Sequence, residues 1–174
     1  KCRNIWFCNV AVEPLAIKSP AFYHVATLEQ AFPQGEQFPL VTCLSTIEHI
    51  GYDNSQYGQA VPCKYTEPVI EPLLDSLRKL AWLVAPDGTL LVSVPFGYRE
   101  TLVHPVTGKI ASQVFDFIAL KHGLVVLQEE GINAELEVFV ARENGWILTD
   151  ASDCSVRYAD GCPGACAVAL IKGH

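Results

Sequence analysis

Residues 38–58, FPLVTCLSTIEHIGYDNSQYG, hold the pattern on which the fold turns: an apolar run at 40–44 leads directly into a carboxylate and an imidazole, Glu48 and His49. Residues that apolar read as a buried central strand. Polar groups at such a strand's exit are strong functional candidates, because ligands of open α/β sheets gather in the crevice beyond the carboxyl ends of the strands. A second segment repeats the design. TEPVIEPLLDSLRKLAWLV, from Thr66, has Ile70, Leu73, Leu74, Leu77, Leu80 and Ala81 at helical spacing. Thr66 is placed to cap that helix, and Pro68 and Pro72 fit only in or near its first turn. The turn Ala85-Pro86-Asp87-Gly88 then feeds the strand TLLVSV at 89–94, which ends in Pro95-Phe96-Gly97. Gly88 is expected there for its backbone freedom. Strands 40–44 and 89–94 are therefore predicted as parallel neighbours joined by a helix over about 67–83, with both faces of the sheet covered.

Upstream, NIWFCNVAV at 4–12 is rich in β-formers and stops at Glu13-Pro14, where proline ends ladder pairing. A short strand is expected at 22–26 and a polar turn at 33–36. Residues 51–65 carry Gly, Asp, Asn, Ser, Pro and two tyrosines, a composition suited to a long loop. Downstream, 96–110 reads as another loop, SQVFDFIALKHG at 112–123 as a helix stopped by Gly123, and LVVLQEE at 124–130 as a strand. EVFVAR and WIL flank Glu143-Asn144-Gly145, which predicts a β-hairpin because Asn-Gly readily takes positive φ. The strand at 165–172 is expected to join the sheet antiparallel.

The 174 residues suit one domain with one core, and half of them are hydrophobic. A formal charge of −7 without a Lys/Arg cluster disfavours nucleic acid as a partner. No apolar run reaches the roughly 18–20 residues that cross a bilayer, and no signal-peptide layout opens the chain. Membrane is not an expected partner. Seven scattered cysteines without a glycosylation sequon point to reduced thiols and a cytoplasmic setting. Cys154, Cys162 and Cys166, with His174 beyond, follow no recognised zinc spacing, so no metal is expected. The absence of Met and the strand-like sequence close behind Lys1 are read as an amino-terminal truncation.

Together, the paired segments at 38–97 resemble the fourth and fifth strands of a class I S-adenosylmethionine-dependent methyltransferase. The resemblance extends more weakly over residues 10–172. It implies a Rossmann-like α/β sheet, mostly parallel with antiparallel carboxyl-terminal strands, whose first strand is missing. It also implies S-adenosylmethionine as cofactor and a small molecule or glycan as methyl acceptor, or else a non-catalytic binding or assembly module on the same fold. By the same resemblance Glu13 takes the place of the acid that accepts both ribose hydroxyls, a task suited to a carboxylate's two oxygens. Leu44 and Ser45 fall beside the cofactor, and Glu48 and His49 beside the reacting groups, with His49 as general base. The Glu48-His49 pair would serve equally as a brace for its loop. Tyr52, Tyr57, Phe96, Tyr98 and His104 are expected around the acceptor, where loop packing is the other use of such side chains.

The sequence departs from the family pattern at one decisive place. No Gly occurs before Gly35, so the glycine-rich turn that lets the backbone approach the cofactor is missing, and the acid expected near Thr27 and Leu28 is missing too. Weak or absent cofactor binding is the expected consequence. Without a first strand, the strand at 4–12 is expected to pair directly with 40–44, or a homodimer to fill the gap, since unpaired buried backbone is costly.

Overall fold

The structure, a computed structural model, describes residues 5–9, 21–33, 35–55, 63–97, 101–142, 144–150 and 166–172. Strand β3 (Phe38–Leu44) runs parallel to β4 (Val84–Pro95), in register from Leu40 opposite Thr89 to Leu44 opposite Ser93. Helix α2 (Glu71–Trp82) lies between them in sequence. It begins later than Thr66 suggests: Ile70 is the N-cap, without a side-chain cap bond, and Pro72 sits in the first turn, where its missing N–H costs no helical bond. Its Leu73, Leu77, Leu80 and Ala81 are buried as the helical period requires.

Strand β9 (Cys166–Lys172) pairs antiparallel with β4 as expected and carries β7 (Asn133–Arg142) on its other side. The hairpin partner of β7, β8 (Gly145–Thr149), completes the order β3-β4-β9-β7-β8, with Arg142 opposite Gly145 across the turn. This is a mixed α/β sheet of the Rossmann-like kind.

Helix α3 (Phe117–Glu129) corrects the reading of residues 112–130. Ser112 and Gln113 end a strand, Asp116 caps the helix by accepting the Ala119 N–H at 2.8 Å, and the apolar residues 124–127 continue the helix instead of forming a strand. Gly123 does not stop it. A Cβ there would lie 2.8 Å from Leu77 Cδ1, so the glycine allows α2 and α3 to pack closely. Their side chains meet Leu90, Val92 and Val94 of β4 in one core.

The expectation that both faces of the sheet are covered fails. α2 and α3 pack on the face that carries Val41 and Cys43, whereas Leu40 and Leu44, alternate residues on β3, remain 55 % and 56 % exposed. Direct pairing of the amino-terminal strand with β3 fails too. β1 (Ile5–Asn9) pairs in parallel with β2 (Ala21–Val25) in a separate two-stranded sheet, leaving β3 as an edge among the described residues. Aromatic packing holds that small sheet instead: Trp6 stacks on Phe22 at 4.3 Å and meets Phe38 at 6.0 Å. The one-turn α1 (Leu28–Ala31) follows, capped by Thr27 with Gln30 in a capping box.

The 96–110 loop holds the start of a further hairpin, β5 (Thr101–Val103) against β6 (Ile110–Gln113). The Pro-Asp-Gly turn lies inside β4 as an irregularity in its pairing with β3. There Asp87, not Gly88, takes positive φ (63°). Gly88 is required by crowding, because a Cβ would stand 2.8 Å from the Ala85 carbonyl oxygen and 3.0 Å from that of Phe38. Among the described residues no helix is long and apolar enough to cross a membrane.

Candidate functional site

The chain turns sharply where β3 ends. Ser45 takes φ 48°, a left-handed conformation that a non-glycine residue keeps only when its surroundings hold it there. The holding bonds are present: the Ser45 N–H donates to the Ser93 carbonyl at 3.0 Å and to Ser93 Oγ at 3.1 Å. Thr46 Oγ1 donates back to the Leu44 carbonyl at 3.0 Å. A short 3₁₀ turn, Ile47–His49, follows and drives Ile47 into the core. Ser93, on the neighbouring strand, thus fixes the exit of β3.

Glu48 is 1 % exposed. Its Oε1 accepts the Ser45 hydroxyl at 2.6 Å, while its Oε2 is buried without a hydrogen-bond partner among the described residues. Burial pushes the Glu48 carboxyl above the usual range; the Ser45 bond, its own backbone and the nearby His49 oppose that shift without cancelling it. Burial likewise pushes the neighbouring Cys43 thiol up to about 11, with help from the charge on Glu48 and against a hydrogen bond with Thr46.

His49 Nδ1 lies 2.9 Å from the Ala111 carbonyl oxygen on β6. A carbonyl can only accept, so Nδ1 carries the proton of the neutral ring and Nε2 is its basic nitrogen. Nε2 stands 3.9 Å from Glu48 Oε1, too far for a hydrogen bond and close enough for attraction once the ring is charged. The tautomer of the neutral ring is thus fixed from behind by a backbone carbonyl.

The β5–β6 hairpin is fastened to the following loop. Thr107 Oγ1 donates to Asp53 Oδ2, the Ser55 N–H to Asp53 Oδ1 at 3.0 Å, and the Asp53 N–H to the Ile110 carbonyl at 2.8 Å. The Thr107 hydroxyl and then Ser55 hold the Asp53 carboxyl down to about 2. Asn54 Nδ2 ties the same loop to the His49 carbonyl at 3.0 Å.

Of the residues expected at the site, Leu44, Ser45, Glu48 and His49 are brought together at the β3 exit, with Leu44 exposed and His49 partly so. Ser45 spends its hydroxyl on the Glu48 carboxyl. Three residues expected around an acceptor are structural instead. Tyr52 is 0 % exposed, its hydroxyl donating to the Glu67 carbonyl at 3.1 Å and accepting the Val69 N–H at 3.2 Å. Phe96 is part of the core. His104 is buried, and its Nδ1 accepts the N–H groups of Val106 and Thr107 at 3.1 and 3.2 Å, bracing the hairpin loop. Glu13, Tyr57 and Tyr98 lie outside the described residues, as do Cys154, Cys162 and His174. Sequence reasoning missed Ser93, Thr107 and Ala111. Ala111 acts through its backbone carbonyl, which leaves no trace in a sequence.

No protein-family model matches the chain, and no curated protein matches it. Solved structures do. A SAM-dependent methyltransferase from Methanosarcina mazei aligns over 98 % of this chain and 82 % of its own, with a TM-score of 0.54 at 9 % identity. The N-methyltransferase NodS from Bradyrhizobium japonicum WM9, in complex with S-adenosyl-L-homocysteine, aligns over 99 % of this chain and 67 % of its own, with a TM-score of 0.49 at 13 % identity. The strand order, the parallel β3–β4 pair and the M. mazei alignment together establish that this chain has the Rossmann-like fold of class I S-adenosylmethionine-dependent methyltransferases.

Proposed function

We propose that the protein is an S-adenosylmethionine-dependent methyltransferase whose acceptor is a small molecule or glycan, with its reacting groups at the exit of β3. The observation that carries this reading is the turn at Ser45, a left-handed residue fixed by Ser93 at the carboxyl end of a parallel strand, with a tautomer-fixed histidine three residues beyond Thr46. Strain kept by dedicated bonds at such a place is a mark of function. Leu44 offers exposed apolar surface at the mouth for a cofactor, and Glu13 is the ribose acid by the family resemblance alone.

S-adenosylmethionine, when bound, supplies an electrophilic methyl group on a sulfonium. The chain's own part is to align the acceptor and to receive its proton. His49 takes that proton on Nε2, while the Ala111 carbonyl keeps Nδ1–H in place. Glu48, buried and bonded to Ser45, acts by positioning: it shapes the 45–49 turn that carries His49. Alignment supplies most of the rate in such a transfer, and the base contributes the rest. A reducing, cytoplasmic setting goes with this reading, in which Cys43 and Cys63 are free thiols.

Amide chemical-shift mapping with S-adenosylhomocysteine is the test. The expected result is saturable shifts at residues 44–49 and at Ser93; shifts confined to other regions would refute the placement. A second reading, a non-catalytic assembly module on the same fold, draws support from the exposed Leu40 and Leu44 on an edge strand. Sedimentation of wild type against Leu40→Glu separates it, a dimer lost in the variant favouring assembly.

A further inference from the structure

A groove of about 250 Å³ opens between the amino-terminal ends of α2 and α3. Val69 and Ile70 form one wall, Phe115, Ile118 and Ala119 the other, and Gln113 is part of the lining. Gln113 is 1 % exposed, and its Nε2 donates to the Val69 carbonyl at 2.8 Å. That single bond leaves the amide's oxygen and its second N–H for another partner. Buried amides are normally satisfied, so a groove lined by one with unused capacity is suited to a ligand carrying both a donor and an acceptor.

The lining of the groove connects to the β3 exit through β6. Gln113 is two residues beyond Ala111 on β6, which puts their side chains on the same face of that strand, and the Ala111 carbonyl holds His49. Val69 is tied to the same region by the Tyr52 hydroxyl. From this arrangement we infer that the groove between α2 and α3 binds a small uncharged molecule with an apolar body and one hydroxyl-like group, paired with Gln113.

Size and charge set the ligand class. The volume equals that of about eight waters and falls below the roughly 300–1,000 Å³ typical of pockets for drug-sized ligands, so the occupant is small. No Lys or Arg lines the groove, and the Asp116 carboxylate at the start of α3 repels anions. The apolar walls disfavour any full charge. His122 is exposed and is the other titratable residue of the lining.

Phenol, benzoate and benzylamine serve as matched probes, titrated into the labelled full chain and followed by protein NMR. Phenol is expected to shift the amides of Gln113 and Ile118 saturably, at millimolar concentration, with benzoate and benzylamine at least tenfold weaker. Ile118, 65 % exposed, can be enlarged without threatening the core, and Ile118→Trp should fill the mouth and weaken phenol at least tenfold. Gln113→Met, similar in length, should weaken it as well. Absence of saturable shifts at the groove, benzoate binding as tightly as phenol, or unchanged affinity in Ile118→Trp would each overturn the inference. Phenol binding in a protein that fails to bind S-adenosylhomocysteine would leave the groove as a small-molecule site and remove the methyltransferase reading.

Discussion

Replacing Glu48 by Gln isolates the most unusual group in the molecule. Glu48 is almost fully enclosed, Oε1 takes one hydroxyl bond from Ser45, and Oε2 takes none among the described residues. Leaving a buried acceptor unsatisfied costs about 1–3 kcal/mol, and more if it is charged. Because burial is the largest cause of the upward shift, the folded protein holds the Glu48 proton more tightly than the unfolded chain does. Its contribution to stability is therefore complete below the unfolded value near pH 4.3 and declines as pH rises through the raised folded value. Gln keeps the side-chain length and the acceptor for Ser45 but cannot ionise. Urea unfolding from pH 4 to pH 8.5 should show wild type and Glu48→Gln converging at the acid end. At the alkaline end the variant should be the more stable, because it buries no charge there. A gap of opposite sign that widens with pH would refute the reasoning, since it would mean that Glu48 is stably ionised against His49.

Gly88→Ala should destabilise by about 1–3 kcal/mol, read as a lower midpoint of thermal unfolding, because the new Cβ meets the backbone oxygens of Ala85 and Phe38 and neither can move cheaply. A neutral result would show that the β4 turn relaxes. Cys43, its thiol pushed up to about 11, should resist iodoacetamide at pH 8 in the native protein and react on unfolding, as mass spectrometry of the labelled peptide will report. Asp53 should act in the opposite sense to Glu48: held down to about 2 by Thr107 and Ser55, it contributes stability above the ordinary aspartate value near 3.9 that is lost as pH falls toward 2. Thr107→Val should move the Asp53 titration upward in carboxyl NMR, and an unmoved titration would show that Thr107 is not its main support.

The elements read correctly are those whose sequence signal and tertiary role agree. The apolar runs of β3 and β4, the periodic leucines of α2 and the Asn-Gly turn between β7 and β8 each specify their structure locally, and packing then confirms it. Residues 124–127 show the opposite case. LVVL is rich in β-formers and follows a glycine, yet it is helical because Val126 and Leu127 join the core shared with α2 and the sheet while Val125 faces outward, and because Gly123 is needed where Leu77 comes close. The β5–β6 hairpin was hidden in a polar stretch whose short strands alternate too little to be seen. At the candidate site, polar residues after an apolar strand marked Ser45, Glu48 and His49 but not what they do. The partner of Ser45 is Glu48, and the orienting group of His49 is a backbone carbonyl 62 residues away, so neither could be read from residue type. Aromatic and imidazole side chains in loops proved poor guides, since Tyr52 and His104 are consumed in bracing the loops that carry them.

Isothermal titration calorimetry of the full chain with S-adenosylhomocysteine tests the central claim most directly. Without a glycine-rich turn before Gly35, the account predicts one saturable site weaker than micromolar, that is, less favourable than about −8 kcal/mol. Binding should weaken further in Glu13→Ala. No saturable heat at millimolar ligand would contradict the proposal that this fold still serves methyl transfer.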